Sequence, residues 1–240
     1  MILKFIYAGK EIEFEVVFSK RKTMEISIAP SREIKVRAPL GIPKAVIRER
    51  VMEKAPWIVK KLYQFRNVKN EPLIREFING EVVMYLGVDY QLQIDIKSHI
   101  NKAKVNLLND KIVVTINNEN KENIRKTMEL WYREKVKEEI DKRINFYQKF
   151  FIMTPSEVKV KEQKKRWGSC TYKDALLFNW RCVMAKSEVL DYIVVHEMCH
   201  MVHKNHSKEY WKLVAFILPD YRQREQWLKN NGYKFFIIAP

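Results

Sequence analysis

Cysteine and histidine are both scarce in this chain, with three and five copies in 240 residues. The odd cysteine count, at Cys170, Cys182 and Cys199, excludes a small disulfide-stapled scaffold and suits a reducing compartment. Long apolar runs are also missing. None approaches the roughly 20 residues that a membrane helix needs, so no membrane partner is expected. The opening MILKFIYAGKEIEFEV meets charge at Lys4, Lys10 and Glu11 and alternates like a strand, not like a secretory leader. The expectation is a cytoplasmic protein. Acidic residues are outnumbered, 29 Asp/Glu against 45 Lys/Arg, for a net charge of +16. Residues 1–80 carry +8 (17 against 9), residues 81–150 carry +2 (13 against 11) and residues 151–240 carry +6 (15 against 9). Such a surplus attracts polyanions through counterion release, which makes nucleic acid a candidate partner. What is present in quantity is apolar: hydrophobic residues make up 47%, enough to bury a core without staples.

The hydrophobic pattern divides the chain. KFIYAG, EIEFEVVF, TMEISIA and EIKVRAP alternate with a period of two and read as strands. A helical stretch begins at Pro43, is broken or kinked at Pro56 and ends near Arg66. Residues 80–116 return to short strands, punctuated by Gly87 and Asn109-Asp110. A long amphipathic helix follows over about 121–150, with Ile124, Met128, Trp131, Ile140, Ile144 and Tyr147 at helical spacing. EVKVKEQ, RWGSCTY and LLFNWRCVMA read as three further strands. Ser187 and Ser207 are candidate N-caps of two later helices, and Pro219-Asp220 opens a last one running to about Asn230. No internal repeat or low-complexity linker is evident. The expected fold class is α+β, with a β-rich N-terminal region carrying a kinked helix over 1–118 and a core over 119–240. A boundary within 65–80 is the other reading.

Four of the five histidines fall between His196 and His206. His196-Glu197-Met198-Cys199-His200 spells H-E-x-x-H. Residues four apart on a helix share a face, so both imidazoles can reach one ion at about 2.0–2.1 Å. Glu197 is one position round, where a general base would touch a metal-bound water. A catalytic zinc takes three protein ligands. His203 lies seven residues from His196, about 10 Å along a continuous helix, and is too far to join the same ion. The third ligand must follow the helix end, for which Lys204-Asn205 offers a left-handed stop, and His206 is the leading choice. Glu209 and Cys170 are its rivals. His203 is left to pack or support, and Cys199 to fill the core.

RWGSC (166–170), FNWR (178–181), VLDYIVVHEMCHMVHKNHSKEYW (189–211) and LPDYRQREQWL (218–228) resemble the YgjP-like metal-dependent hydrolases, relatives of the WLM and SprT metallopeptidase groups. RKTMEISI, IKVRAPLG, EKAPWIVKKL and YLGVDYQL extend the likeness through the N-terminal half. The resemblance implies a zincin-like catalytic core in which a short sheet packs on the H-E-x-x-H helix. It further implies that His196, His200 and His206 hold Zn2+ and that Glu197 is the base. The implied activity is that of a zinc metallopeptidase acting on peptide or protein substrates.

Arg166, Asn179, Arg181 and Tyr210 are candidates for stabilising an oxyanion or touching substrate. Trp167 and Cys170 read as packing residues, and Gly168 as the site of a bulge or a close backbone approach. LLFNWRCVMA is the segment to inspect for edge pairing with an extended peptide. Asp191 and Asp220 are either acceptors for ligand imidazoles or surface caps. Two further functions compete with a general peptidase. One is a nucleic-acid-associated, SprT-like protease using Lys20-Arg21-Lys22 and the basic run from Lys159 to Arg166. The other is a binding module in which zinc is structural. The tail from Tyr233 to Pro240 reads as a closing strand, with an autoinhibitory segment as the alternative.

Overall fold

The computed structural model describes residues 1–29, 31–64, 76–163 and 166–235. The chain divides into two compact units, Met1–Pro72 and Leu73–Pro240. The division falls inside the 65–80 window, not at 118/119. The reason is packing: the sheet of residues 82–116 belongs to the same core as the helix that follows it.

In the first unit, β1 (Ile2–Tyr7), β2 (Lys10–Ser19), β3 (Glu25–Ile28) and β4 (Ile34–Pro39) form a sheet in the order β1-β2-β4-β3. Alternation places Phe14 and Val16 of β2 and Val36 and Ala38 of β4 on one buried face. Helices α1 (Lys44–Glu53) and α2 (Ala55–Gln64) cover that core with Ile47, Val51, Ala55 and Ile58. The break falls at Lys54, two residues before Pro56, which has no N–H to carry the helix hydrogen-bond ladder across it. The expected end near Arg66 lies outside the described residues.

The second unit opens with β5 (Val82–Tyr85), β6 (Val88–Ile96), β7 (Lys104–Leu108) and β8 (Lys111–Ile116), in the order β5-β6-β8-β7. This is the first sheet again. Tyr7↔Lys10 in β1–β2 becomes Tyr85↔Val88 in β5–β6, 78 positions on. The parallel pairs keep one register, Glu15 with Lys35 and Gln91 with Lys111. Both hairpins turn through left-handed residues, Ala8-Gly9 and Leu86-Gly87. An internal repeat therefore exists where the sequence shows none. The identities have drifted (Phe14 to Leu92, Ala38 to Ile116) while the period of two and the turn geometry persist.

α3 (Lys121–Tyr147) packs on this sheet through Ile124, Met128, Tyr132 and Val136, and the Tyr132 hydroxyl donates to the Met84 carbonyl at 2.9 Å. A second sheet holds β9 (Glu157–Lys161), β10 (Gly168–Cys170) and β11 (Ala175–Asn179), with β11 in the centre, parallel to β9 and antiparallel to β10. The expected strand over 176–185 ends at Asn179. Trp180–Met184 form a 3-10 turn, capped by the Asn179 side chain, which accepts from the Arg181 N–H. α4 (Ser187–Val202), α5 (Lys208–Ile217) and α6 (Tyr221–Asn231) complete the unit. Ser187 is the first residue of α4, not its cap; its hydroxyl accepts from Arg143 at 2.6 Å. Ser207 does cap α5, accepting from the Tyr210 N–H. Gly232–Phe235 form a 3-10 turn with Phe235 buried against Trp167. The expected closing strand thus begins differently, and residues 236–240 lie outside the described residues. Among the described residues the architecture is a mix of small sheets and six helices, consistent with α+β. Among the described residues, no helix is long and apolar enough to cross a membrane.

Candidate metal centre

α4 is apolar for most of its length, with Leu190, Ile193, Val194 and Val195 buried, so His196 and Glu197 are carried into the interior. The helix stops at Val202, and His203 takes an extended conformation (φ −126°, ψ 107°). Asn205 is not left-handed, contrary to the expected stop at Lys204-Asn205. The extended His203 suffices to turn the chain back, and Ser207 then starts α5.

This reversal brings His196, His200 and His206 together. One ring nitrogen from each lies within 4.8 Å of the others. The Nε2 atoms of His196 and His206 are 3.2 Å apart. Tetrahedral zinc with nitrogen bonds of 2.0–2.1 Å requires about 3.3 Å between ligand nitrogens, a spacing that the His196–His206 pair matches. His200 Nδ1 faces the His203 carbonyl at 3.0 Å, which leaves its Nε2 toward the other two rings. His203 thus supports the site with its backbone. Glu209 and Cys170 lie outside the group. The Glu209 carboxyl instead accepts from its own N–H and from Ser207.

Aromatic side chains wall the triad. Tyr210 stacks on His200 (4.6 Å, 27°), and Trp211 stacks between His206 (5.5 Å, 27°) and Tyr221 (5.3 Å, 20°). Trp211 was missed in the sequence. Its signal was position, one turn into the helix that begins beside His206. Burial pushes the His196 imidazole down to about 3, with His200 and His206 adding to the effect, so the ring is neutral and ready to bind metal. His200 is lowered as well, chiefly by burial.

Glu197 is 6% exposed. Burial pushes its carboxyl up to about 8, against the opposing pull of Arg166 and of the Cys170 N–H. A carboxyl in that range can both take and return a proton near neutral pH. Gly168 makes this packing feasible, because a Cβ there would lie 2.7 Å from Glu197 Cγ and Oε1. β10 is the edge of its sheet. Asn179 N donates to Trp167 O and Thr171 N to Ala175 O, so odd-numbered residues pair with β11. Gly168 and Cys170 therefore turn their backbone groups the other way. The edge beside the histidines is β10, whereas β11, within the segment expected to offer one, is paired on both sides.

A cavity of about 540 Å³ opens over the triad, lined by Arg166, Trp167, Gly168, Glu197, Leu228 and Lys229 among others. Of the four candidate oxyanion or substrate residues, Arg166 alone lines it. Asn179 is fully buried, and its amide donates to the carbonyls of Gln163 (2.6 Å) and Arg166 (3.1 Å). Arg181 pairs with Glu162 and covers the Trp180 ring. The Tyr210 hydroxyl donates to the His196 carbonyl at 3.1 Å. Asp191 pairs with Arg143 and Arg224, and Asp220 with Arg224, so neither orients an imidazole. In the expected basic footprint, Lys164 and Lys165 lie outside the described residues, Lys159 pairs with Glu157 and Arg21 with Glu25.

Compared with known proteins, residues 22–231 match the family model described as YgjP-like, metallopeptidase domain. No curated protein matches the chain.

Proposed function

Because the chain belongs to the YgjP-like metallopeptidase family, we propose that it is a zinc-dependent peptidase in which His196, His200 and His206 hold the metal and Glu197 is the general base. The observation that carries this reading is the meeting of three imidazole nitrogens with one buried carboxyl at the floor of an open cavity. Zinc at this position supplies Lewis acidity and lowers the pKa of water toward neutrality. Glu197 takes a proton from the attacking water on a carboxylate oxygen and returns it to the leaving amine. The outward backbone groups of Gly168 and the Cys170 carbonyl receive an extended peptide by strand addition along β10, the Cys170 N–H being held by Glu197. Lys159 and Lys161 on β9 keep the opposite edge of that sheet charged and unattractive to strands. Three free cysteines support a reducing, cytoplasmic setting.

A structural zinc would have its fourth position closed by protein. Among the described residues the group has three ligands and faces a cavity, which favours catalysis over a zinc-held binding module. One observation favours a nucleic-acid-associated protease. In the first unit, Lys22, Arg50 and Lys54 outnumber Glu53 around a groove of about 410 Å³ that Met24, Ile26 and Ile42 also line. The test incubates the zinc-loaded chain with an unfolded protein, with and without single-stranded DNA, and reads new termini by mass spectrometry. Cleavage by wild type and none by Glu197→Gln is the expected result. Cleavage only with DNA selects the second reading, and equal zinc content with no cleavage by wild type overturns the peptidase.

A further inference from the structure

The cavity over the histidines is lined by three cations, Arg166, Lys204 and Lys229, and by two acids, Glu197 and Glu225. Two of the cations are occupied. Lys204 is bound to Asp174 and reaches the Thr171 carbonyl. Lys229 holds Glu225 at 2.6 Å. Arg166 is different: it is exposed on the cavity wall, its charge acts on Glu197 without an ion-pair contact, and among the described residues no carboxylate forms a salt bridge with it.

Its backbone is nonetheless fixed from beneath. The buried Asn179 amide holds the Arg166 carbonyl, and the next carbonyl, Trp167 O, accepts from Asn179 N (2.8 Å) and from Cys182 Sγ (3.1 Å). A fully buried asparagine thus anchors a residue whose guanidinium, among the described cations of the cavity, is held by no salt bridge. Two residues later β10 begins, with Gly168 beside Glu197. Trp167, Ile193 and Leu228 give the same cavity an apolar wall.

Resting on the peptidase reading above, we propose that Arg166 is a specificity-determining residue that pairs with a carboxylate of the substrate. The peptides it selects carry an acidic group on the side of the scissile bond that faces the start of β10. With the two lysines neutralised by their partners and Glu197 opposed by a divalent ion, the cavity retains positive charge. A planar guanidinium fork binds a carboxylate through two parallel hydrogen bonds, a geometry that lysine does not reproduce. In a peptide the carboxylate is either the chain terminus or an Asp or Glu side chain.

The experiment uses the zinc-loaded full chain and four matched peptides: one with internal Glu and its Gln counterpart, one with a free C-terminus and its amide. Wild type is expected to show kcat/KM about 10- to 100-fold higher for the charged member of one pair, and the pair that responds identifies the carboxylate. Arg166→Ala, with unchanged zinc content, is expected to bring that ratio near one, and Arg166→Lys to leave it between the two. Equal rates for both members of each pair in wild type overturn the proposal. So does an Arg166→Ala protein that slows charged and neutral peptides alike, since that pattern belongs to an oxyanion donor. If wild type cleaves none of the four, peptide binding to zinc-loaded Glu197→Gln is measured by calorimetry. A charge preference lost in the Arg166→Ala double variant supports Arg166 as the carboxylate partner while the hydrolytic reading falls. Binding without preference overturns the proposal as well.

Discussion

Glu197 joins a site that needs its charge to a position that opposes it. In the metal-free protein its folded-state pKa of about 8 stands above the ordinary 4.5. A carboxyl raised in this way removes stability as pH rises through that interval, at about 1.4 kcal/mol per pH unit, and none below it. The His196 imidazole acts in the opposite sense: its lowered pKa withdraws stability as pH falls below about 6.5. Glu197→Gln removes the first effect and keeps the second. After chelation the two proteins should therefore melt close together at pH 5 and diverge toward pH 9, with wild type lower by on the order of 10 °C. Differential scanning calorimetry across that range decides it; a gap that does not widen with pH means Glu197 is solvated. The histidines and Glu197 were legible in the sequence because helical spacing of four is a local rule. Trp211 and Asn179 were not seen in their roles, because stacking on His206 and anchoring Arg166 depend on pairs brought together only by the fold.

At the level of elements, the site depends on how closely β10 approaches α4. Gly168 has ordinary strand geometry, so its glycine is required by contact and not by backbone conformation. An alanine methyl would meet three Glu197 atoms at 2.7–2.9 Å, in an interior with no slack. Gly168→Ala should cost about 1–3 kcal/mol and lower turnover at least about tenfold, with one zinc still bound per chain. Measured zinc content and kcat separate this outcome from collapse of the site, and a fully active Gly168→Ala would show that β10 stands further off. The close approach was readable from a glycine in a strand pattern. The end of β11 was not. Leu176 to Ala185 is almost uniformly apolar, and both a buried strand and a buried turn satisfy such a run. The helix end was misplaced for a related reason. An extended His203 needs no special residue, whereas the asparagine stop that drew attention is unused.

Over the whole molecule, alternation made both four-stranded sheets visible, yet their identity with one another stayed hidden. A period of two can be kept by any apolar residue, so two copies can share a register without sharing a sequence. The two copies have different surroundings. In the first, the Gly9 turn has nothing within 4 Å of where a Cβ would stand; in the second, the Gly87 turn meets Lys186, and Leu86 N donates to the Val183 carbonyl at 2.7 Å. The second sheet is thereby tied to the segment that leads into the metal helix. Every described residue lining the metal cavity also lies in residues 73–240, and the core around it is built from that unit alone. A fragment of residues 73–240 is therefore expected to fold, to bind one zinc and to melt higher when zinc is added. A fragment of residues 119–240 is expected to fail, because the faces of Tyr132, Val136 and Val183 would lose the sheet they pack against. Circular dichroism and zinc titration of both fragments test the division. A zinc-competent 119–240 would restore the boundary at 118/119, and a 73–240 fragment that needs the first unit in order to bind zinc would make the repeat part of the site.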